Sequence, residues 1–166
     1  FKKNKFDYVL HLAAQAGVRY SITNPKNYFE NNIQGFYHMI DLSRKYKIKH
    51  FIFASSSSVY GKTNKFPISE DCDITKPLSF YAASKACNEI IAHSYSNIYN
   101  LHSTAIRFFT AYGPYGRPDM AMFLFADAIT KSKKINLFNN GNHYRDFTFI
   151  NDLVLVIKKI IKNKPK

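Results

Sequence analysis

KHFIFASSSSVYG, residues 49–61, runs from a short unbroken apolar segment into four consecutive serines. An apolar run of this length without polar alternation reads as a strand buried on both faces, as in a parallel sheet. Before it, FDYVLHLAA (6–14) reads as another buried parallel strand. After it, LHSTAIRFFTAYG (101–113) reads as a third. Helical spacing fills the intervals. NPKNYFENNIQGFYHMIDLSRKYKI (24–48) repeats apolar side chains at Tyr28, Ile33, Phe36, Tyr37, Ile40 and Leu42, with Asn24-Pro25 as its start signal. YAASKACNEIIAHSYSNIYN (81–100) puts Ile90, Ile91, Tyr95 and Ile98 on one face. Strand, helix, strand, helix, strand is the doubly wound α/β pattern, whose ligands bind beyond the carboxyl ends of the strands. All three strands end there in small or hydroxyl residues: Ala13-Ala14, Ser55 to Ser58, and Thr110-Ala111.

The remainder is shorter and more broken. GPYGRPD (113–119) is a Pro/Gly-rich loop, and MAMFLFADAITKSKK (120–134) is a helix. INLFNNGNHYRDFTFI (135–150) contains a turn at Gly141 and two short strands, and NDLVLVIKKIIKN (151–163) is a final helix capped by Asn151. Two regions result. Residues 1–110 form the later part of a Rossmann-type sheet. Residues 111–166 belong to a small ligand-binding region that returns to the core.

Composition removes several classes. The formal charge is +13, but the lysines are scattered, with small clusters at Lys131, Lys133, Lys134 and in the terminal KKIIKNKPK. Charge without a basic stripe or a recognition motif speaks of solubility and attraction to anions, not of nucleic-acid binding. Cys72 and Cys87 show no disulfide framework, and the six histidines show no metal-ligand spacing, so no metal is expected. No apolar run is long enough to span a membrane. These features fit a cytoplasmic setting. A dinucleotide-binding sheet needs a glycine-rich turn after its first strand, and no GxxGxxG or GxGxxG occurs here. The strand at Tyr8 would also leave an unpaired apolar edge. The chain is therefore expected to be an internal part of a longer one, with the first half of the sheet upstream.

Tyr81 and Lys85 lie four apart on one helix face, close in sequence to the serine run. A phenol titrates near 10, so a general base at neutral pH needs roughly 4 kcal/mol of preferential phenolate stabilisation. A lysine ammonium one turn away supplies a field of the right sign. A lone YxxxK is more often a surface tyrosine and a surface lysine. The hydroxyl-tipped strand before it changes the balance.

Taken in order, HLAAQAGVRYSITNP, NNIQG, FASSSSVYG, FYAASK, RFFTAYGPYGRPDMA and GNHYRDFTFINDL resemble the extended short-chain dehydrogenase/reductase family, in its nucleotide-sugar epimerase/dehydratase branch. The resemblance covers nearly the whole chain. AGVRYS with GRPDMA points to the UDP-glucuronate 4-epimerase group. It implies NAD as cofactor, a UDP-sugar as substrate and a homodimer when full length. It implies Tyr81 as catalytic base, Lys85 as its partner and holder of the nicotinamide ribose, and Ser56 as third member, with Ser57 the alternative in the run of serines. Ala13, Ala14, Asn31, Ser55 and Phe109 would lie along the cofactor, with Asn31 otherwise a helix-surface residue and Phe109 a core aromatic. Thr110 and Arg117 would hold the sugar carboxylate, which suits the planar fork of an arginine. A solvated loop arginine is the other reading of Arg117. Arg145 would contact the nucleotide diphosphate or ribose, or else pair with Asp146. Arg19 receives no role.

The expected reaction is oxidation at C4 to a keto sugar and re-reduction from the other face. UDP-glucose or UDP-N-acetylglucosamine epimerisation is the alternative substrate assignment, and a non-catalytic module the alternative class. The strand tip carries serines and no acid, against a 4,6-dehydratase or a decarboxylase. Asn151 in FIND and Tyr115 in GPYG depart from the common pattern without touching the chemistry.

Overall fold

The serine-tipped strand is the middle of a three-stranded parallel sheet. The computed structural model describes residues 1–63 and 66–164, so Pro165 and Lys166 of the basic terminal run lie outside the described residues. The chain divides into two units, Phe1–Phe108 with Asn163–Lys166, and Phe109–Lys162. The first contains β1 (Tyr8–His11), α1 (Val18–Thr23), α2 (Pro25–Tyr28), α3 (Gly35–Lys45), β2 (His50–Ser56), α4 (Phe80–Tyr99) and β3 (Ser103–Phe108). The second contains β4 (Thr110–Tyr112), α5 (Ala121–Thr130), β5 (Phe147–Phe149) and nearly all of α6 (Ile150–Asn163). Strand order in the first sheet is β1-β2-β3, and β4 pairs in parallel with β5 in a second sheet.

β2 behaves as its composition requires: Phe51, Ile52 and Phe53 are almost wholly buried. Phe51 and Phe53 pack with Phe36 and Ile40 of α3, Ala92 of α4, and Leu101. Phe36 meets Phe53 edge-on at 4.9 Å between ring centres, a favoured aromatic geometry. β1 forms the edge of the sheet in this chain, with the unpaired apolar residues that the sequence reading anticipated there. Tyr8 and Leu10 are each 41% exposed, because β1 is a sheet edge and one of its faces is largely uncovered.

Asn24 and Pro25 start the first long helical segment as expected, with the Asn24 side chain accepting from the Asn27 N–H at 3.4 Å. A π-helical stretch at Phe29–Gln34 joins α2 to α3 and shifts the helical phase. The buried stripe is consequently Tyr28, Asn32, Phe36 and Ile40, while Tyr37, expected inside, is exposed. The helix also stops at Lys45, short of Ile48, and α1 is an additional helix.

In α4 the apolar face read from the sequence is half right: Ile91 and Tyr95 are partly buried against the core cluster. Ile90 and Ile98 are about two-thirds exposed, at 65% and 66%. The inner face is Ala82, Ser84, Lys85, Ala86, Asn88 and Ala92, whose small members allow the helix backbone a close approach. Ser79 caps the helix, accepting from the Ala82 N–H at 3.1 Å, and Asn100 ends it in a left-handed conformation.

The expected third strand is two strands. β2 ends at Ser56 opposite Phe108, so the residues beyond find no further partner there, and Thr110–Tyr112 pair with Phe147–Phe149 instead. Only one of two short strands expected in 135–150 forms. Asn139 and Asn140 adopt positive φ in a 3-10 turn, a conformation asparagine tolerates. α6 begins at Ile150, which places Asn151 inside the helix and not at its cap.

At the amino-terminal side of the sheet, His50 is fully buried, bonded through Nε2 to the Thr104 hydroxyl at 2.8 Å, and 4.4 Å from the His102 ring. Burial first, then the charges of His102 and Lys164, push its pKa down to about 4. Its folded value lies below its unfolded one, so the folded state resists protonation and stability falls as pH drops from 6.5 toward 4. Thermal or urea unfolding across that window should show a loss of up to about 3 kcal/mol. The His50→Phe variant should flatten this dependence, and an equally steep profile in the variant would assign it elsewhere.

Candidate active site

Lys85 is 4% exposed, an unusual position for a lysine, and its ammonium donates to the Ala54 carbonyl at 2.8 Å. That bond fixes the middle of the inner face of α4 to the end of β2. Burial lowers the Lys85 pKa to about 8. His11, at the end of β1, is also lowered, by burial and then by the positive charge of Lys85. A protonated lysine thus sits among the strand ends, facing little that neutralises it.

Tyr81 is one helical turn nearer the amino terminus of α4. Its ring meets the ring of Tyr28 edge-on at 6.1 Å. Tyr28 is itself buried, and its hydroxyl donates to the carbonyls of Ala16 at 2.9 Å and Gly17 at 2.5 Å. Ser84 donates to the Tyr81 carbonyl at 2.7 Å. Asn32 donates to Ser84 Oγ at 3.1 Å and to the Gln15 carbonyl at 3.0 Å, and accepts from the Gln15 N–H at 2.8 Å. The π segment therefore ties the chain leaving β1 to the turn that carries Tyr81. Sequence reasoning selected Asn31 and missed Asn32. Its signal was available: Asn32 is four residues from Tyr28 and four from Phe36, both of them core positions.

Among the serines, alternation along β2 separates the roles. Ser56 Oγ accepts from the Ser58 N–H at 3.2 Å and lies 3.2 Å from Ser58 Oγ. It caps the 3-10 turn Ser57–Tyr60, against which α4 packs. Ser57 is half-buried in that turn. The Ser55 hydroxyl is turned the other way and donates to Glu89 of α4.

An open cleft of about 610 Å³ lies at the end of β1, lined by residues that include Leu10, His11, Ala13, Ala14, Asn31 and Met39. Three of the expected cofactor-lining residues thus share one cleft. The Asn31 amide donates to the Asn27 carbonyl at 2.8 Å and contacts the Asn27 side chain. Ser55 is not among the lining residues, because its side chain serves Glu89. Phe109 follows β3 and opens the second unit.

The second unit has its own pocket, of about 120 Å³, in which Thr110, Arg117 and Arg145 come together against Met120, Phe123 and Phe147. Gly113 lets β4 leave this sheet: its φ is +134°, and a Cβ there would lie 2.6 Å from an Ile150 methyl carbon. Arg117 presents its fork to Asp119, with Nε donating to Oδ1 at 2.9 Å and a terminal nitrogen to Oδ2. Those bonds hold the Asp119 carboxyl below the usual carboxylate range. Arg145 donates to the Tyr144 carbonyl at 2.8 Å. Two cations beside an apolar wall suit an anion with a carbon skeleton. Among the described residues no group of three His, Cys, Asp or Glu could hold a metal, and no helix is long and apolar enough to cross a membrane.

The sequence model of the NAD dependent epimerase/dehydratase family matches residues 1–166. The chain belongs to that family. Among its relatives, "Protein CapI" of Staphylococcus aureus is 51% identical over 156 residues, covering 94% of this chain and 47% of the relative. A "Probable UDP-glucuronate 4-epimerase" of Rhizobium meliloti (strain 1021) is 46% identical over 154 residues, covering 93% and 45%. The solved UDP-glucuronic acid 4-epimerase from Bacillus cereus, in complex with UDP-glucuronic acid and NAD, superposes with a TM-score of 0.90 at 34% identity, covering 96% of this chain and 50% of that one. The chain thus spans about half the length of the curated relatives it matches. The Rossmann-type α/β fold expected from the strand pattern is the fold of these epimerase/dehydratase neighbours.

Proposed function

We propose that the protein carrying this chain is an NAD-dependent UDP-sugar 4-epimerase, with UDP-glucuronate and UDP-galacturonate as its sugar pair. The observation that carries the reading is the buried Lys85, anchored on the Ala54 carbonyl one turn from Tyr81, at the end of a strand tipped by Ser56. Small side chains at Ala13 and Ala14 leave an open cleft at the end of the neighbouring strand β1, where a flat, extended cofactor would lie. Bound NAD would supply the acceptor and the donor of hydride. Tyr81, as phenolate, takes the proton of the sugar 4-hydroxyl and later returns it. The Lys85 ammonium favours the phenolate. Ser56 donates a hydrogen bond to the oxygen at C4 as it becomes a carbonyl.

A 4-keto uronic acid is a β-keto acid and is prone to lose CO₂. Thr110 and Arg117 hold the carboxylate, and Arg145 the diphosphate, so that the keto sugar is re-reduced before it decarboxylates. The sugar assignment rests on these pocket cations and on relatives named as UDP-glucuronate epimerases. A cytoplasmic homodimer is part of the same proposal.

The test follows the sugar protons by NMR when the full-length protein is incubated with UDP-glucuronate and catalytic NAD. UDP-galacturonate should appear without lasting NADH. A pentose product would move the protein to decarboxylation. Conversion of UDP-glucose or UDP-N-acetylglucosamine, with glucuronate untouched, would overturn the role given to Arg117.

A further inference from the structure

Tyr81 and Lys85 are followed, one more turn along the same face of α4, by Glu89. Its carboxylate is largely enclosed, with 11% of the side chain exposed, and it is met by groups from both neighbouring strands. Arg107 of β3 donates to it through Nε at 3.0 Å and through a terminal nitrogen at 2.8 Å. Ser55 of β2 donates to the same carboxylate. Ser55 and Arg107 are direct partners across the parallel ladder, so their side chains leave the same face of the sheet. Arg107 is itself fixed from two further directions. Its other terminal nitrogen donates to the Glu70 carbonyl at 2.7 Å, and its guanidinium lies 5.0 Å from the centre of the Tyr60 ring, at the end of the 3-10 turn after Ser56.

We infer that Glu89 and Arg107 are positioning residues that set the rotation and axial register of α4 against the strand tips, and thereby hold Tyr81 and Lys85 in line with Ser56. The inference rests on the proposed epimerase reading for its catalytic consequence. An ion pair buried this deeply contributes little net stability, since desolvation offsets the attraction. Its geometry gives something apolar packing cannot. The inner face of α4 is mostly alanine and serine, which slide easily, whereas a bidentate carboxylate–guanidinium pair has one good geometry. Lys85 on Ala54 and Glu89 on Ser55 fasten successive turns of the helix to successive residues of β2.

The experiment uses the full-length protein. Glu89→Gln should lower kcat by 10- to 100-fold and displace the pH profile of kcat, with KM for the UDP-sugar and for NAD changed less than threefold. Amide hydrogen exchange at residues 80–86 should accelerate as that turn loses its register. Unchanged kcat or unchanged exchange at 80–86 overturns the inference, even if the melting temperature falls, because a simple brace predicts only that fall. If the wild-type protein epimerises no UDP-sugar, the functional reading fails, and exchange at 80–86 alone decides the clamp. Should Glu89→Gln not fold, Arg107→Lys is read in the same way: it keeps the charge and gives up the fork.

Discussion

Replacing Tyr81 with phenylalanine should lower epimerase turnover of the full-length protein by about a thousandfold or more, while UDP-sugar and NAD still bind. Proton transfer by a positioned side chain contributes on the order of 10²–10⁴ in rate, and the proposed cycle uses it in both half-reactions. The substitution removes one oxygen and leaves the ring. The edge-on contact with Tyr28 at 6.1 Å is preserved, as is the Ser84 bond, which uses the Tyr81 backbone carbonyl. A loss of turnover therefore cannot be assigned to unfolding of the α4 amino terminus. Measurement of kcat beside calorimetric binding of the UDP-sugar separates the two effects. Turnover within tenfold of wild type would discard Tyr81 as the base.

The second large effect concerns the choice of sugar. Arg117→Ala should weaken UDP-glucuronate by roughly 30- to 1000-fold, from the loss of charge-assisted hydrogen bonds of about 2–4 kcal/mol together. UDP-glucose, with no carboxylate, should change by a few-fold. The structure adds a competitor: Asp119 takes the Arg117 fork. A substrate carboxylate has to share or displace it. Asp119→Asn should accordingly tighten UDP-glucuronate several-fold and leave UDP-glucose unchanged. The pair is exposed, with side chains 46% and 62% accessible, so exchange of partners costs little. Equal losses for both sugars in Arg117→Ala would remove the carboxylate role.

How far each feature was legible in the sequence follows from the physics that set it. β2 was legible because a central parallel strand is buried on both faces and shows an unbroken apolar run, and its burial agrees. β1 has the same signature and stands at the edge of the sheet in this chain, as anticipated from the missing glycine-rich turn. α4 was legible only in part. Ile91 and Tyr95 pack on the core as their spacing suggested, yet Ile90 and Ile98 are exposed and the fully buried positions are alanines and the polar Ser84, Lys85 and Asn88. Burial there is dictated by how closely the helix must approach the sheet and by what Lys85 bonds, neither of which is local. The π turn at Phe29–Gln34 likewise rephased a helix whose apolar spacing pointed to Tyr37.

The candidate site shows the same division. Tyr81, Lys85 and the serine run were singled out from residue type, spacing and order, because the proposed chemistry needs those groups on adjacent turns and a neighbouring strand end. Thr110, Arg117 and Arg145 were found by resemblance, and all three line one pocket. Asn32, Glu89 and Arg107 were not found. Each is a polar residue in a helix or strand, where the ordinary expectation is solvent, and each acts through partners 17, 18 or 52 residues away.

The sequence by itself determined the α/β class and the alternation of β1, β2 and β3 with helices, and it singled out Tyr81, Lys85 and the serine run as candidates for proton exchange, because periodicity and reactive groups are local properties of the chain. Only the tertiary structure decided which serine faces the helix, which residues of α4 are fully buried, and which buried ion pair holds it. Those are settled by the alternation of a paired strand, by packing distance, and by the need of enclosed polar groups for partners far along the chain.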